Sequence, residues 1–96
     1  MVEARERYRA GFVTSVEKLA ETLRQCGDLD AAIALGERAI EVEPLAEGVY
    51  AQLIRALLAQ DREADARRVY RRCEQMLSVM LGLKPSAALI ALIHGH

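Results

Sequence analysis

The feature that most restricts what this chain can fold into is that it repeats itself. Displacing the sequence by 34 residues sets Leu19 on Leu53, Leu23 on Leu57, Ala32 on Ala66 and Arg38 on Arg72. The same shift lays the turn Gly27-Asp28 over Asp61-Arg62. A period of this size marks stacked supersecondary units, none of which buries its apolar face alone. Within each unit apolar residues recur at helical spacing, and no stretch alternates with period two for long enough to make a strand.

The spacing and its punctuation predict five helices. Tyr8, Phe12, Val16, Leu19, Ala20 and Leu23 form the stripe of a long first helix over about 3–25. Cys26-Gly27-Asp28 ends it, Gly27 suiting the left-handed position after a helix and Asp28 suiting the cap of the next. A second stripe, Leu29, Ala32, Ile33, Gly36, Ala39 and Ile40, predicts a helix over about 29–43, closed because the residue before Pro44 disfavours the helical conformation. Pro44 is then expected to open a third helix over about 45–60, with Val49, Tyr50, Leu53, Ile54, Leu57 and Leu58 as its stripe. Asp61 is the candidate cap for a fourth helix over about 62–81, whose stripe is Ala66, Val69, Tyr70, Cys73, Met76, Leu77, Met80 and Leu81. Gly82 stops it, and Ser86 caps a short last helix over about 86–94.

Thirty-four residues is the period of the tetratricopeptide repeat, whose aromatic, small-residue and proline positions can be tested one at a time. They fall on Val16, Leu19, Ala20, Leu23, Ala32, Gly36 and Pro44 in the first unit. In the second they fall on Tyr50, Leu53, Ile54, Leu57, Ala66, Tyr70 and Ser78. Gly36 stands where an aromatic is usual and Ser78 where proline is usual. Pro85 comes seven residues late, which lengthens the fourth helix by about two turns. The expected fold is therefore all-α, a tetratricopeptide-like right-handed array of helix hairpins. Leu19, Leu23, Ala32, Ala39, Pro44, Tyr50, Leu53, Leu57, Ala66, Tyr70, Cys73, Gly82 and Pro85 are the residues expected to define it. Such arrays generally need about three repeats to close a core, so two repeats and a short helix point to a single domain cut from a larger protein.

Chemistry is sparse. The only histidines, His94 and His96, flank Gly95 at the C-terminus, where a frayed tail is expected and no third ligand lies near to complete a metal site. With no other histidine, no G-x-S-x-G element and no glycine-rich phosphate loop, neither catalysis nor a cofactor is expected. Cys26 and Cys73 lie in no Cys-x-x-Cys motif and are expected to be small buried packing residues. Tyr50 and Tyr70 are expected in the core, and Met76 and Met80 against the last helix.

Charge bears on partners. The net charge is only −1, so a dedicated nucleic-acid-binding surface is not indicated. Glu17–Glu47 holds eight acids against three bases, whereas Arg55–Lys84 holds seven bases against four acids. Arg67, Arg68, Arg71 and Arg72 all fall opposite the apolar stripe of the fourth helix, where a solvated face accounts for them; docking to an acidic protein surface or to DNA are the alternatives. Self-association has two routes: acidic hairpin to basic helix, which salt would weaken, or an apolar contact through Tyr8, Phe12 or the last helix. Tyr8, Phe12, Arg67, Arg68 and Arg71 are the candidate contact residues. The longest apolar run, Ala87–Ile93, is far shorter than the roughly 18–20 residues of a bilayer span, and Met1 is followed by charged residues, so a cytoplasmic protein is expected.

Three segments, Pro44-Leu45-Ala46-Glu47-Gly48-Val49-Tyr50, Tyr70-Arg71-Arg72-Cys73 and Leu81-Gly82-Leu83-Lys84-Pro85-Ser86, resemble the bacterial transcriptional activator domain. The resemblance runs from about Arg5 to His94, and the last segment is its most specific element. It implies a tetratricopeptide-like fold and a bacterial host. It also implies a parent regulator in which a winged-helix DNA-binding domain, absent here, usually precedes the module, and in some parents a nucleotide-binding or sensor domain. The partners so implied are other domains of the same regulator, a second copy, or the transcription machinery, with DNA reached only through the missing domain.

Overall fold

The computed structural model describes residues 4–95, with side chains from Arg7 onward, and Met1–Glu3 and His96 lie outside the described residues. Five helices follow in order: α1 Ala4–Gln25, α2 Leu29–Val42, α3 Glu47–Ala59, α4 Glu63–Leu81 and α5 Ala87–His94. No strand occurs among the described residues. α1 packs on α2 and α3, and α3 packs in turn on α2, α4 and α5, so α3 is the central element. Its Val49, Tyr50, Leu53, Ile54, Ala56 and Leu57 are all buried.

The turns between paired helices repeat as the sequence does. After α1 the Asp28 N–H donates to the Leu23 carbonyl (2.9 Å) and that of Gly27 to Arg24 (3.1 Å). After α3, 34 residues on, the Arg62 N–H donates to Leu57 (2.9 Å) and that of Asp61 to Leu58 (3.0 Å). Both turns need one residue in the left-handed region to reach back to these orphan carbonyls. Gly27 supplies it with φ +86°, and Asp61 with φ +58°. This corrects the reading of Asp61 as a cap. Arg62 occupies the cap position without a side-chain bond, whereas Asp28 does cap α2, accepting from the Ala31 N–H at 3.3 Å.

Pro44 likewise does not open α3. It lies in a turn closed by the Ala46 N–H on the Glu43 carbonyl (3.1 Å), and the helix starts at Glu47. Its structural contribution is a carbonyl that accepts the buried Tyr50 hydroxyl at 2.8 Å. α4 ends at Gly82, left-handed at φ +64°, and the cap of α5 is Ser86, whose hydroxyl accepts from the Leu89 N–H at 3.3 Å. The Ser86 N–H donates to the Glu47 carboxylate, tying the start of α5 to the start of α3.

The close approach of the two repeats is set at Gly36. A Cβ at that position would stand 3.0 Å from the Leu53 Cβ, so α2 meets α3 where it has no side chain. The position equivalent to Gly36 in the second repeat is Tyr70, whose ring stands edge-on to His94 at 6.3 Å. His94 lies 41 residues after Leu53, the repeat period extended by the seven-residue delay of Pro85. α5 therefore takes the place of the first helix of a third unit, the seven added residues being taken up by the longer end of α4 and the link after it. His94 is the last residue of α5 and so lies on the helix, not on a tail beyond it.

Candidate interaction surfaces

Burial sorts the residues singled out from the sequence. Ala32, Ala39, Tyr50, Leu53, Leu57, Ala66, Cys73 and Pro85 are buried, Leu23 and Pro44 are half-buried, and Gly82 is the exposed left-handed stop of α4. Leu19 departs from its expected place in the core and is 50% exposed. At 100° per residue, Leu19 and Tyr8 lie about 60° and 80° to one side of Val16, while Ala20 and Val13 lie about 40° and 60° to the other. Val16, Ala20 and Val13 face α2 and α3; the Leu19 side faces solvent, and Tyr8 there is 79% exposed. Phe12, between the two, packs half-buried against the core and so is only in part a contact residue.

Three further expectations are corrected. Cys26 is exposed, because it lies in the turn after α1 and not on the helix face. Tyr70 is only half-buried, since α5 covers it along one edge. Met80, expected against the last helix, is 59% exposed, and Leu81 beside it is 51% exposed. They fall on the added turns of α4, which run beyond the start of α3, where Glu47 sits beside Cys73. Met76, one turn earlier, is half-buried.

The arginines of α4 are exposed as expected, but much of their charge is neutralised within the helix. Arg67 pairs with Glu63 (3.0 Å), while Arg62 and Arg68 share the Asp65 carboxylate at 2.9 Å each. Such i,i+3 and i,i+4 pairs stabilise a helix by only about 0.2–0.5 kcal/mol each. Arg71 and Arg72 form no ion pair among the described residues.

Inside, burial pushes the Cys73 thiol up to about 12, with the Glu47 and Glu74 carboxylates adding to the effect. Burial also raises the Tyr50 hydroxyl, whose proton is engaged by Pro44. These groups are held in their neutral forms, which suits packing and not nucleophilic chemistry. Among the described residues two buried polar atoms lack partners, Nε of Arg24 and Oε1 of Gln52. The surface depressions are shallow and open, one of about 210 Å³ lying between α3 and α5 beside Arg55 and Leu92. Among the described residues no cluster of three or more potential metal ligands occurs, and no helix is long and apolar enough to cross a membrane.

A helix-hairpin array with this register, ending on the Leu83–Ser86 link to a short third-unit helix, matches the family model of the bacterial transcriptional activator domain over residues 1–95. The chain belongs to that family. As a bacterial transcriptional activator domain it is similar to the transcriptional regulatory protein MoaR1 of Mycobacterium bovis (strain BCG / Pasteur 1173P2) and to that of Mycobacterium tuberculosis (strain ATCC 25618 / H37Rv). Each is 31% identical to it over 77 residues, which are 80% of this chain and 25% of the relative. The chain thus spans about a quarter of the length of these relatives. No solved structure matches it. Sequence reasoning missed the exposed end of α4, although the seven-residue delay of Pro85 was its signal.

Proposed function

We propose that this chain is a protein-protein interaction module of a bacterial transcription regulator, one domain of a larger protein whose DNA contacts are made by a separate winged-helix domain. It acts by docking against another domain of that regulator or against a second copy, and it catalyses nothing. The observation that carries the reading is the apolar surface left bare at both ends of the repeat array, Tyr8 and Leu19 on α1 and Val79, Met80, Leu81 and Leu83 around the end of α4. Exposed apolar patches of this kind mark contact surfaces, whereas an enclosed ligand site would require a deeper cavity than the open depressions present. The transcriptional role of the MoaR1 relatives agrees with it.

A second reading, an adaptor holding an extended peptide along α3, draws support from Gln52, which is buried with its Oε1 unpaired. The first reading is tested on the regulator whose gene encodes this chain. Removing residues 1–96 is expected to abolish promoter-dependent reporter transcription while operator binding by the remainder survives. A reading frame without any DNA-binding domain, or full activation without these residues, overturns it.

A further inference from the structure

Asp65, Arg68, Val69 and Arg72, spaced i, i+3, i+4 and i+7, share one face of α4. That face, Arg62 at the start of the helix and Glu37 of α2 wall a depression of about 290 Å³ whose apolar lining is Leu57 and Val69. Leu57 is buried and Val69 half-buried, while the three arginines are exposed. Two of the guanidinium groups are held in place. Arg62 and Arg68 each reach the Asp65 carboxylate at 2.9 Å. Arg62 also donates to the Gln60 side-chain oxygen (3.3 Å), and the Gln60 amide nitrogen donates to Asp30 of α2 (2.8 Å). Arg72 has neither an ion pair nor a side-chain hydrogen bond among the described residues, and Glu37 has no ion pair among them.

Three cations against Asp65 and Glu37 leave the depression positive, although the chain as a whole carries −1. A guanidinium has more donors than one shared carboxylate engages, so Arg62 and Arg68 keep N–H groups for a ligand and Arg72 offers all of its own. The lining decides between anions. A phosphate backbone brings no apolar group for Leu57 and Val69 and would set its evenly spaced charges against Asp65 and Glu37. A protein segment can bring carboxylates for the arginines and an apolar side chain for the floor, and can keep its charges away from Glu37. We infer that this groove docks an acidic segment of another protein domain, an apolar side chain resting on Leu57 and Val69 and a carboxylate on Arg72. Asp65 then competes with the incoming carboxylates for Arg62 and Arg68. The inference rests on the interaction-module reading and names the chemistry of one of its partners.

A synthetic peptide repeating Glu-Leu-Glu-Glu is the probe, labelled and followed by fluorescence anisotropy at low salt. The chain is expected to bind it, and to bind Gln-Leu-Gln-Gln and Glu-Ser-Glu-Glu counterparts about tenfold more weakly. Arg72→Glu is expected to weaken binding about tenfold, whereas Lys84→Glu, the same change of net charge beyond the far end of α4, should alter it by less than about twofold. Asp65→Asn removes the competitor and is expected to tighten binding about two- to fivefold; if Asp65 served the ligand by anchoring the arginines, the sign would reverse and the inference would fall. Circular dichroism checks that these exposed substitutions leave the helices intact. An unbound peptide, equal losses in Arg72→Glu and Lys84→Glu, or tighter binding of a DNA duplex of matched charge overturns the inference. If the peptide stays unbound while deletion of residues 1–96 still abolishes reporter transcription, the groove is refuted and the interaction module stands. An intact reporter overturns the module whatever the peptide does.

Discussion

Three glycines inside helices give a measurement of how closely the two repeats are pressed together. Glycine in a helix interior costs about 0.5–1 kcal/mol relative to alanine, so alanine should stabilise wherever there is room for a methyl group. At Gly11 nothing lies within 4 Å of the new Cβ, and Gly11→Ala should raise stability by about that amount. At Gly36 the new Cβ would stand 3.0 Å from the Leu53 Cβ and 3.3 Å from its Cδ1. The Leu53 Cβ is fixed to the backbone of α3 and its side chain is fully buried, so no rotamer change relieves the contact. α2 and α3 would have to part by a few tenths of an ångström. Overpacking of this kind costs about 1–3 kcal/mol, against a helix-propensity gain of about 1 kcal/mol. The net expectation for Gly36→Ala is a loss of up to about 2 kcal/mol, with the melting temperature falling by roughly 4–8 °C per kcal/mol of loss in a domain of this size. Gly48 is the control: its Cβ would fall on the carboxylate of Glu17, the free end of a flexible side chain, so Gly48→Ala should be close to neutral. Urea and thermal unfolding followed by circular dichroism measure all three. If Gly36→Ala proves as stabilising as Gly11→Ala, the close approach at Leu53 does not set the packing of the repeats.

Tyr50→Phe removes the hydroxyl that reaches the Pro44 carbonyl and should cost about 0.5–1.5 kcal/mol in the same unfolding assay, with no loss of helix. Asp61→Gly relieves a left-handed non-glycine residue and should stabilise by up to about 1 kcal/mol, a stability at or below the parent's refuting the strain argument. In thiol labelling of the native protein, Cys26 should react rapidly and Cys73 only through unfolding, equal rates being the refuting result. The Cys73 thiol also predicts a pH dependence: the unfolded thiol ionises near 9 and the folded one near 12, so the folded state retains more protons in between. Stability from this group is full below pH 9 and should fall between about pH 9 and 12 by up to roughly 1.4 kcal/mol per unit; a Cys73→Ala variant should lack that part of the decline.

Helix number, order and most boundaries were legible because each is written in local chemistry. Gly27, Asp28, Gly82 and Ser86 do what their conformational and capping preferences dictate, and no distant residue alters the outcome. Asp61 was misread because aspartate both caps helices and tolerates the left-handed region, and the choice was made by the reach of Arg62 to the Leu57 carbonyl. Pro44 was misread by three residues for a similar reason, since proline suits a turn as well as a first helical position. The arginines of α4 could be placed on a solvated face, but their pairing with Glu63 and Asp65 depends on rotamers that sequence spacing only permits. The candidate surface was least legible. An apolar residue on a helical stripe signals a face that becomes buried, not which molecule buries it.

Leu19 and Leu53 make that last point quantitative. They are the same residue at equivalent positions of successive repeats, yet Leu53 is wholly buried and Leu19 is 50% exposed. The difference is that Leu53 has the Gly36 face of α2 before it, while nothing described precedes α1. The other end shows the same logic with a changed register. Tyr70 stands where Gly36 stood, so α5 cannot come as close to α4 as α3 comes to α2, and His94 meets the ring edge at the place where Leu53 meets Gly36. The seven added residues are what carry Val79, Met80, Leu81 and Leu83 past the start of α3 and leave them bare. A repeat array that followed the strict period would have turned towards its next helix before those positions. Seven added residues at the end of α4 thus create apolar surface available to a partner.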